Sequence, residues 1–225
     1  MRYAANHVNA SPPQLSIRVA SNMHGTELKV ASLPSQFLEA ALALLDSAFE
    51  QDPTLGWCLF AETPGFHERR ANYLGRYLKY HYDACLPALG AWRNDDLVAV
   101  SYFAPASCSE SPRMLAALGR DIAIGCGASS LSRIDLLRET PAVNAPGAAC
   151  SRIEFIGVSP VRQGEGIGSV LLSATLSHLG DTDPSAKIAL ETGEPRNLPF
   201  YERHGLSVKA RMEYAGLTQY TLQTA

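Results

Sequence analysis

Apolar residues recur along this chain in two periods, and the places where the period changes divide it into elements. Residues 27–33 (ELKVASL) alternate weakly, which predicts a first strand. Pro34-Ser35 then opens a helix whose Phe37, Leu38, Ala41, Leu42, Leu45 and Phe49 share one face, and Asp52-Pro53 ends it. A second helix, from about Glu68 to Tyr82, carries Tyr73, Leu74, Tyr77, Leu78 and His81 at the same spacing. LGAWR and LVAVSYFA follow as two strands around Asn94-Asp95-Asp96, a hairpin signal. Residues 110–139 are helical in places but contain Gly125-Cys126-Gly127, which predicts two short helices with a break.

The second half is more regular. After a loop at 144–149 come a strand (Arg152 to Val158), a glycine-rich turn and a helix (Glu165 to Leu179). A strand (Lys187 to Glu191), a short helix (Asn197 to His204) and two closing strands (Leu206 to Arg211 and Leu217 to Leu222) complete the pattern. Strands and helices alternate with no second core, so residues 27–225 read as one mixed α/β domain. Residues 1–26 are polar, with Pro12-Pro13 and scattered Asn, Ser and Gly, and read as a poorly ordered N-terminal arm.

Composition narrows the function classes. A formal net charge of −3 with no Lys/Arg run argues against a nucleic-acid partner. The five cysteines (58, 85, 108, 126 and 150) form no C-x-x-C or Cys/His cluster, so reduced thiols are expected, with no disulfide framework and no metal site. MRYAANHVNASPPQ lacks the apolar core of a signal peptide, and FLEAALALLDSAF is interrupted by Glu39 and Asp46 and is too short to span a bilayer. A soluble, cytoplasmic protein without a membrane partner is the expectation, as a monomer or homodimer.

VSPVRQGEGIGSVLL (158–172) is where chemistry enters. The turn lacks the Gly-Lys-Ser/Thr ending of a Walker A loop and the G-x-G-x-x-G spacing of a dinucleotide fingerprint. It fits Q-x-x-G-x-G through Gln163, Gly166 and Gly168. A glycine turn running into a helix can present unpartnered amides, and the helix dipole, to an anion. Arg162 would add a cation. From these residues alone the alternative is an ordinary tight strand-to-helix turn, and both readings stand.

Together with LETGEPRNLPFYERHGLSV (190–208), this stretch resembles the GNAT superfamily of N-acetyltransferases, and its wording is nearest to the puromycin N-acetyltransferase-like branch. The resemblance covers about residues 150–212; Leu206 stands where the family usually has Phe, and CSRIE lacks the aromatics often found before the following strand. It implies a central mixed sheet flanked by helices, with the family's strands four (Arg152 to Val158) and five (Lys187 to Glu191) splayed. It also implies acetyl-CoA as co-substrate, its pantetheine arm pairing with strand four at Ile156, Gly157 and Val158. The pyrophosphate would lie on the backbone of Gln163, Gly164, Glu165, Gly166, Ile167 and Gly168, with Ser169 in the first helical turn and Arg162 beside it. Asn197 would border the pantetheine, unless it is a helix N-cap.

The resemblance further implies transfer of acetyl to an amine by direct attack through a tetrahedral intermediate, with Tyr201 protonating the departing thiolate. A base must accept the amine proton, and Glu154 and Glu191 are the candidates, with Glu154 the first choice. Trp57, Tyr73, Tyr77 and Tyr80 could wall an acceptor pocket, though at least half of them should be core. His178 and His204 read as packing or surface residues. A small-molecule amine acceptor leads; the alternatives are a protein N-terminus or lysine as acceptor, and a non-catalytic acyl-CoA-binding protein.

Overall fold

The computed structural model describes residues 18–21, 27–138 and 150–225. The loop expected at 144–149, and all of the N-terminal arm except residues 18–21, lie outside the described residues.

Among the described residues, eight strands form one sheet: β1 (Arg18–Ser21), β2 (Glu27–Ser32), β3 (Ala88–Arg93), β4 (Asp96–Ala104), β5 (Cys150–Val158), β6 (Lys187–Thr192), β7 (Leu206–Tyr214) and β8 (Leu217–Thr224). Their order across the sheet is β1-β2-β3-β4-β5-β6-β8-β7, and every neighbouring pair is antiparallel except β5–β6. The helices are α1 (Leu38–Ala48), α2 (Pro53–Cys58), α3 (Phe66–Asp83), α4 (Pro112–Cys126), α5 (Ala128–Arg138), α6 (Ile167–Thr182) and α7 (Leu198–Glu202). The parallel β5–β6 pair requires a crossover, and α6 supplies it. Because β1 precedes the strand read first from the sequence, the two strands expected to splay, Arg152 to Val158 and Lys187 to Glu191, are β5 and β6 here.

Two apolar clusters cover the two faces of the sheet. One joins α1, α3, α4 and α5 through Leu45, Leu74, Tyr77, Leu78, Ile122 and Phe155; the other joins α6 to the sheet through Phe103, Ile153, Leu171, Leu172 and Leu222. The hairpin between β3 and β4 turns at Asn94 (φ 49°) and Asp95 (φ 66°), the paired left-handed residues that a tight right-twisted hairpin needs. The break between α4 and α5 falls at Gly127, whose φ is 93°.

The first helical run ends at Ala48, short of the expected stop at Asp52-Pro53, and that dipeptide begins another helix. Asp52 Oδ1 accepts a hydrogen bond from Leu55 N at 2.8 Å and Pro53 occupies the first helical turn, so the same dipeptide caps α2. Stop and start signals share residue types, and here the dipeptide serves as the start.

Two departures from regularity shape the middle of the sheet. The parallel register of β5 and β6 runs from Cys150↔Lys187 to Ile153↔Leu190 and stops, while β5 continues to Val158 against β4. Along β4, Tyr102 pairs with Phe155 and Phe103 with Ile153, so Glu154 is the extra residue of a β-bulge. The bulge resets the alternation of faces: Ile153 joins the α6 cluster, whereas Phe155 joins the α1/α3 cluster. Beyond it, Gly157 lies against α1, where an added Cβ would stand 2.8 Å from Leu45 Cδ2 and 3.4 Å from Ala48 Cβ. Gly157→Val is therefore expected to cost ~1–3 kcal/mol by overpacking, read as a lower denaturant midpoint at unchanged slope.

Candidate active site

Where β5 and β6 part, a cavity of about 400 Å³ opens. Its floor is β5 from Arg152 to Ile156 and β6 from Ala189 to Thr192; α2, α3 and α5 roof it, and Asn197 and Tyr201 close one side. Polar side chains reach it from separate elements: Asp52 and Thr54 from the start of α2, Glu110 from the segment before α4, Arg138 from α5, Arg152 and Glu154 from β5, and Glu191 from β6.

The glycine turn lies beyond the far end of β5. Gly164 (φ 83°) and Gly166 (φ 78°) adopt left-handed backbone that side chains other than glycine rarely adopt, and Gly166 is the N-cap of α6. A Cβ at either position would meet nothing within 4 Å among the described residues, so both glycines border open space. The first turn of α6 leaves amides without a carbonyl one turn earlier. A Cβ added at Gly168 would stand 3.4 Å from Val158 Cγ2 and 3.6 Å from Phe200 Cζ, so Gly168 is a packing glycine. Ile167 turns its side chain into the α6 core. Glu165 is ion-paired with Arg93 of β3, and Arg162 lies 3.7 Å from its other oxygen. The turn is thereby tied to the sheet, with Arg162 half-exposed at its rim.

Acidic groups at the cavity are tuned differently. Glu154 Oε1 accepts from Arg152 Nε at 3.0 Å, and Glu110 Oε2 lies 3.1 Å from Arg152 Nη2. Burial pushes the Glu154 carboxyl up, but Arg152, Arg138 and a hydrogen bond from Tyr77 outweigh it, and the net shift is downward. Among the described residues, Glu191 has no such cation in contact. It lines the open cavity, where water reaches it, yet the surrounding walls strip much of its hydration and raise its pKa to about 7. Glu154's charge adds to the rise; a 3.2 Å hydrogen bond from Thr221 Oγ1 and the field of Arg152 oppose it. Asp52 is raised to about 6, chiefly by burial, against the backbone amides it caps.

Tyr201 is 7% exposed, and its phenol is raised to about 12, first by burial and then by the charge of Asp52. Cys58 also lines the cavity, but burial pushes its thiol up to about 12.

The structure thus brings Tyr201, Glu154, Glu191, Ile156 and Asn197 to one cavity. Arg162 to Ser169 form the turn and first helical turn beyond it, and Val158 packs between them on Gly168. Asn197 stands at the N-cap position of α7 without a side-chain capping bond, so capping does not explain it. Of the four aromatics, Tyr73 and Tyr77 line the cavity; Trp57 donates to Ala215 O at 2.8 Å and Tyr80 to Glu110 at 3.2 Å. His178 packs edge-on against Phe103, and His204 Nδ1 bonds Phe200 O at 2.8 Å. Asp52, Glu110, Arg138 and Arg152 are cavity residues that the sequence alone did not reveal. Only Asp52 carried a local signal, its place before Pro53.

Among the described residues, no helix is long and apolar enough to cross a membrane. The model of the acetyltransferase (GNAT) family matches residues 57–206, well over half of the chain. Solved structures share the fold at low identity. An agmatine N-acetyltransferase matches with a TM-score of 0.62 at 13% identity, over 87% of this chain and 99% of its own. A histone acetyltransferase and related acetyltransferase from Corynebacterium glutamicum matches with a TM-score of 0.59 at 16% identity, over 87% and 94%. An N-acetyltransferase from Staphylococcus aureus gives 0.52 at 12%, over 87% and 96%.

Proposed function

As a member of the GNAT acetyltransferase family, the protein is an acyltransferase that draws on acetyl-CoA, and we propose that its acceptor is a primary amine on a small molecule. The observation that carries this is the cavity: a walled space of about 400 Å³ that joins Tyr201 and Glu191 to the aromatic surface of Tyr73, Tyr77 and Phe155. Such a volume suits a compact ligand. One structural neighbour is named for a small amine, agmatine.

The donor fits the open side of the glycine turn, where amides of the α6 N-terminus and Arg162 would hold its pyrophosphate. The free edge of β5 after Ile153 can accept an extended arm as an added strand would be accepted. Asn197 and Tyr201 border that path.

Attack on the thioester needs an unprotonated amine. Glu191 is the better base of the two candidates, because its pKa near 7 lets it hold a proton at working pH, whereas Glu154 is kept ionised by Arg152. Glu154 then acts through its charge and its hold on Arg152. Tyr201 stays protonated and faces the departing sulfur as a hydrogen-bond donor. Cys58, with its thiol raised to about 12, makes no competent nucleophile, which favours direct transfer over an acetyl-enzyme.

Free-thiol release from acetyl-CoA with a panel of small amines, against lysine-bearing peptides, tests this reading. Turnover confined to the peptides would overturn the small-molecule acceptor. Acetyl-CoA should also raise the melting temperature, by about 2.7 kcal/mol of added stability at one hundred times its Kd. Gly166→Val should abolish most of that rise, because the turn must leave its left-handed conformation or carry strain of ~1–2 kcal/mol. A full ligand-induced rise in the Val variant would mean that the turn does not hold the donor.

A further inference from the structure

We propose that Glu110 makes the pocket reject acceptors that carry an acid group, so that its substrates are amines with an apolar body and no carboxylate or phosphate. This rests on the cavity being the acceptor site.

An acceptor with a carboxylate needs an uncommitted cation, and a guanidinium fork is the usual partner for it. Among the described residues lining the cavity the cations are Arg138 and Arg152. Arg152 is already taken from two directions: Glu154, raised into the cavity by the β5 bulge, receives Nε at 3.0 Å, and Glu110 lies 3.1 Å from Nη2. Glu110 is itself fixed by the Tyr80 hydroxyl at 3.2 Å. Arg138 is in the field of the same two carboxylates and lies 5.9 Å over the Tyr77 ring. Asp52 and Glu191 then leave four carboxylates facing two guanidinia.

An incoming anion therefore finds its natural partner occupied and a negative wall around it. A cationic amine is drawn by that same wall, and its body meets Tyr73, Tyr77 and Phe155, whose rings pack edge to face with Tyr77 and Phe155 centroids 5.0 Å apart. Glu110 is a specificity-determining residue in this scheme. It neutralises the edge of Arg152 that would otherwise select an amino acid.

Matched pairs that differ only by a carboxylate test the idea: tyramine against tyrosine, and agmatine against arginine. For the wild-type protein, kcat/KM should favour the decarboxylated member of each pair by roughly 100-fold or more, since like charges brought together in a desolvated site are strongly disfavoured. Glu110→Gln keeps the shape, removes one charge and releases one edge of Arg152. The preference should shrink about tenfold or more, through a gain for the acid-bearing member; a merely structural role would lower both members together. Equal rates within the pairs for wild type, or an unchanged preference in a folded Glu110→Gln, would overturn the proposal. Should that variant fail to fold, equilibrium binding of the pairs to the wild-type protein decides, and comparable affinities overturn it. Acetyl-CoA binding is measured alongside. If it persists while neither member of either pair binds, the charge filter falls and the acyltransferase reading stands; if acetyl-CoA does not bind, both fall.

Discussion

Replacing Tyr201 by Phe should lower kcat by ~10²–10³ while leaving acetyl-CoA affinity nearly unchanged. The change removes one hydroxyl from a side chain whose ring is already buried on the β6–α7 side of the cavity, so packing is kept. The magnitude follows from the hydroxyl's acidity. With its phenol at about 12, Tyr201 remains neutral at any physiological pH. A thiol ionises near ~8.5, so complete proton transfer from this phenol to a free thiolate runs uphill. On the proposed reading Tyr201 would offer a hydrogen bond to charge that develops on sulfur, from a ring that is itself buried. Removal of one such preorganised donor typically costs two to three orders of magnitude. Pre-steady-state single turnovers with an acceptor that is processed would read the loss directly. A Phe variant at wild-type rate would take Tyr201 out of the chemistry; a large rise in Kd for acetyl-CoA with little loss in kcat would make it a donor-binding residue instead.

Glu191→Gln should reduce kcat by ~10²–10⁴, the usual contribution of a positioned base, and should erase the acidic limb of the pH profile. The sign follows from the direction of the shift. As the proposed base, Glu191 would act as the carboxylate, which predominates above its pKa of about 7, so wild-type kcat should be half-maximal near pH 7 and fall about tenfold per unit below it. The groups that set this value are Glu154 and Arg152 on β5 and Thr221 on β8, with Asp52 titrating separately near 6 on α2. Gln keeps an oxygen for the Thr221 hydroxyl, so stability should change little. Glu154→Gln supplies the control: it removes a like charge from beside Glu191 and releases Arg152 to attract it, so the midpoint should move downward. A midpoint unmoved by Glu154→Gln, together with a Glu191→Gln profile that retains its acidic limb, would show that some other group carries the proton.

Much of this arrangement was legible in the sequence, because it is written in local signals. The glycine turn, the helix after it, and the Asn197–Tyr201 segment each show within fifteen residues what they become. Asn94-Asp95 named its hairpin for the same reason. What stayed hidden depends on register between distant strands. That Glu154 faces the cavity follows from a bulge against Tyr102 and Phe103, some fifty residues earlier, and simple alternation along β5 does not reveal it. The inequality of Glu154 and Glu191 has the same origin: Arg152 is two residues from one and on a neighbouring strand from the other, while Arg138 and Glu110 arrive from α5 and the approach to α4. The closeness of Gly157 to α1 likewise emerges only once the sheet face is known. Charge tuning is a tertiary property, and no single segment encodes it.

The short ladder between β5 and β6 has a mechanical consequence. Four residue pairs are all that bind β6, and with it β8 and β7, to the rest of the sheet by backbone among the described residues. At the α2 end, the Thr54–Gln219 and Trp57–Ala215 hydrogen bonds act as stitches across the same seam. The molecule is thus two rafts of strands moored at one end and open at the other. An extended chain laid along the open edge of β5, as proposed for the donor, would become a plank between them, so the ligand that enables chemistry would also stiffen the hull that holds it.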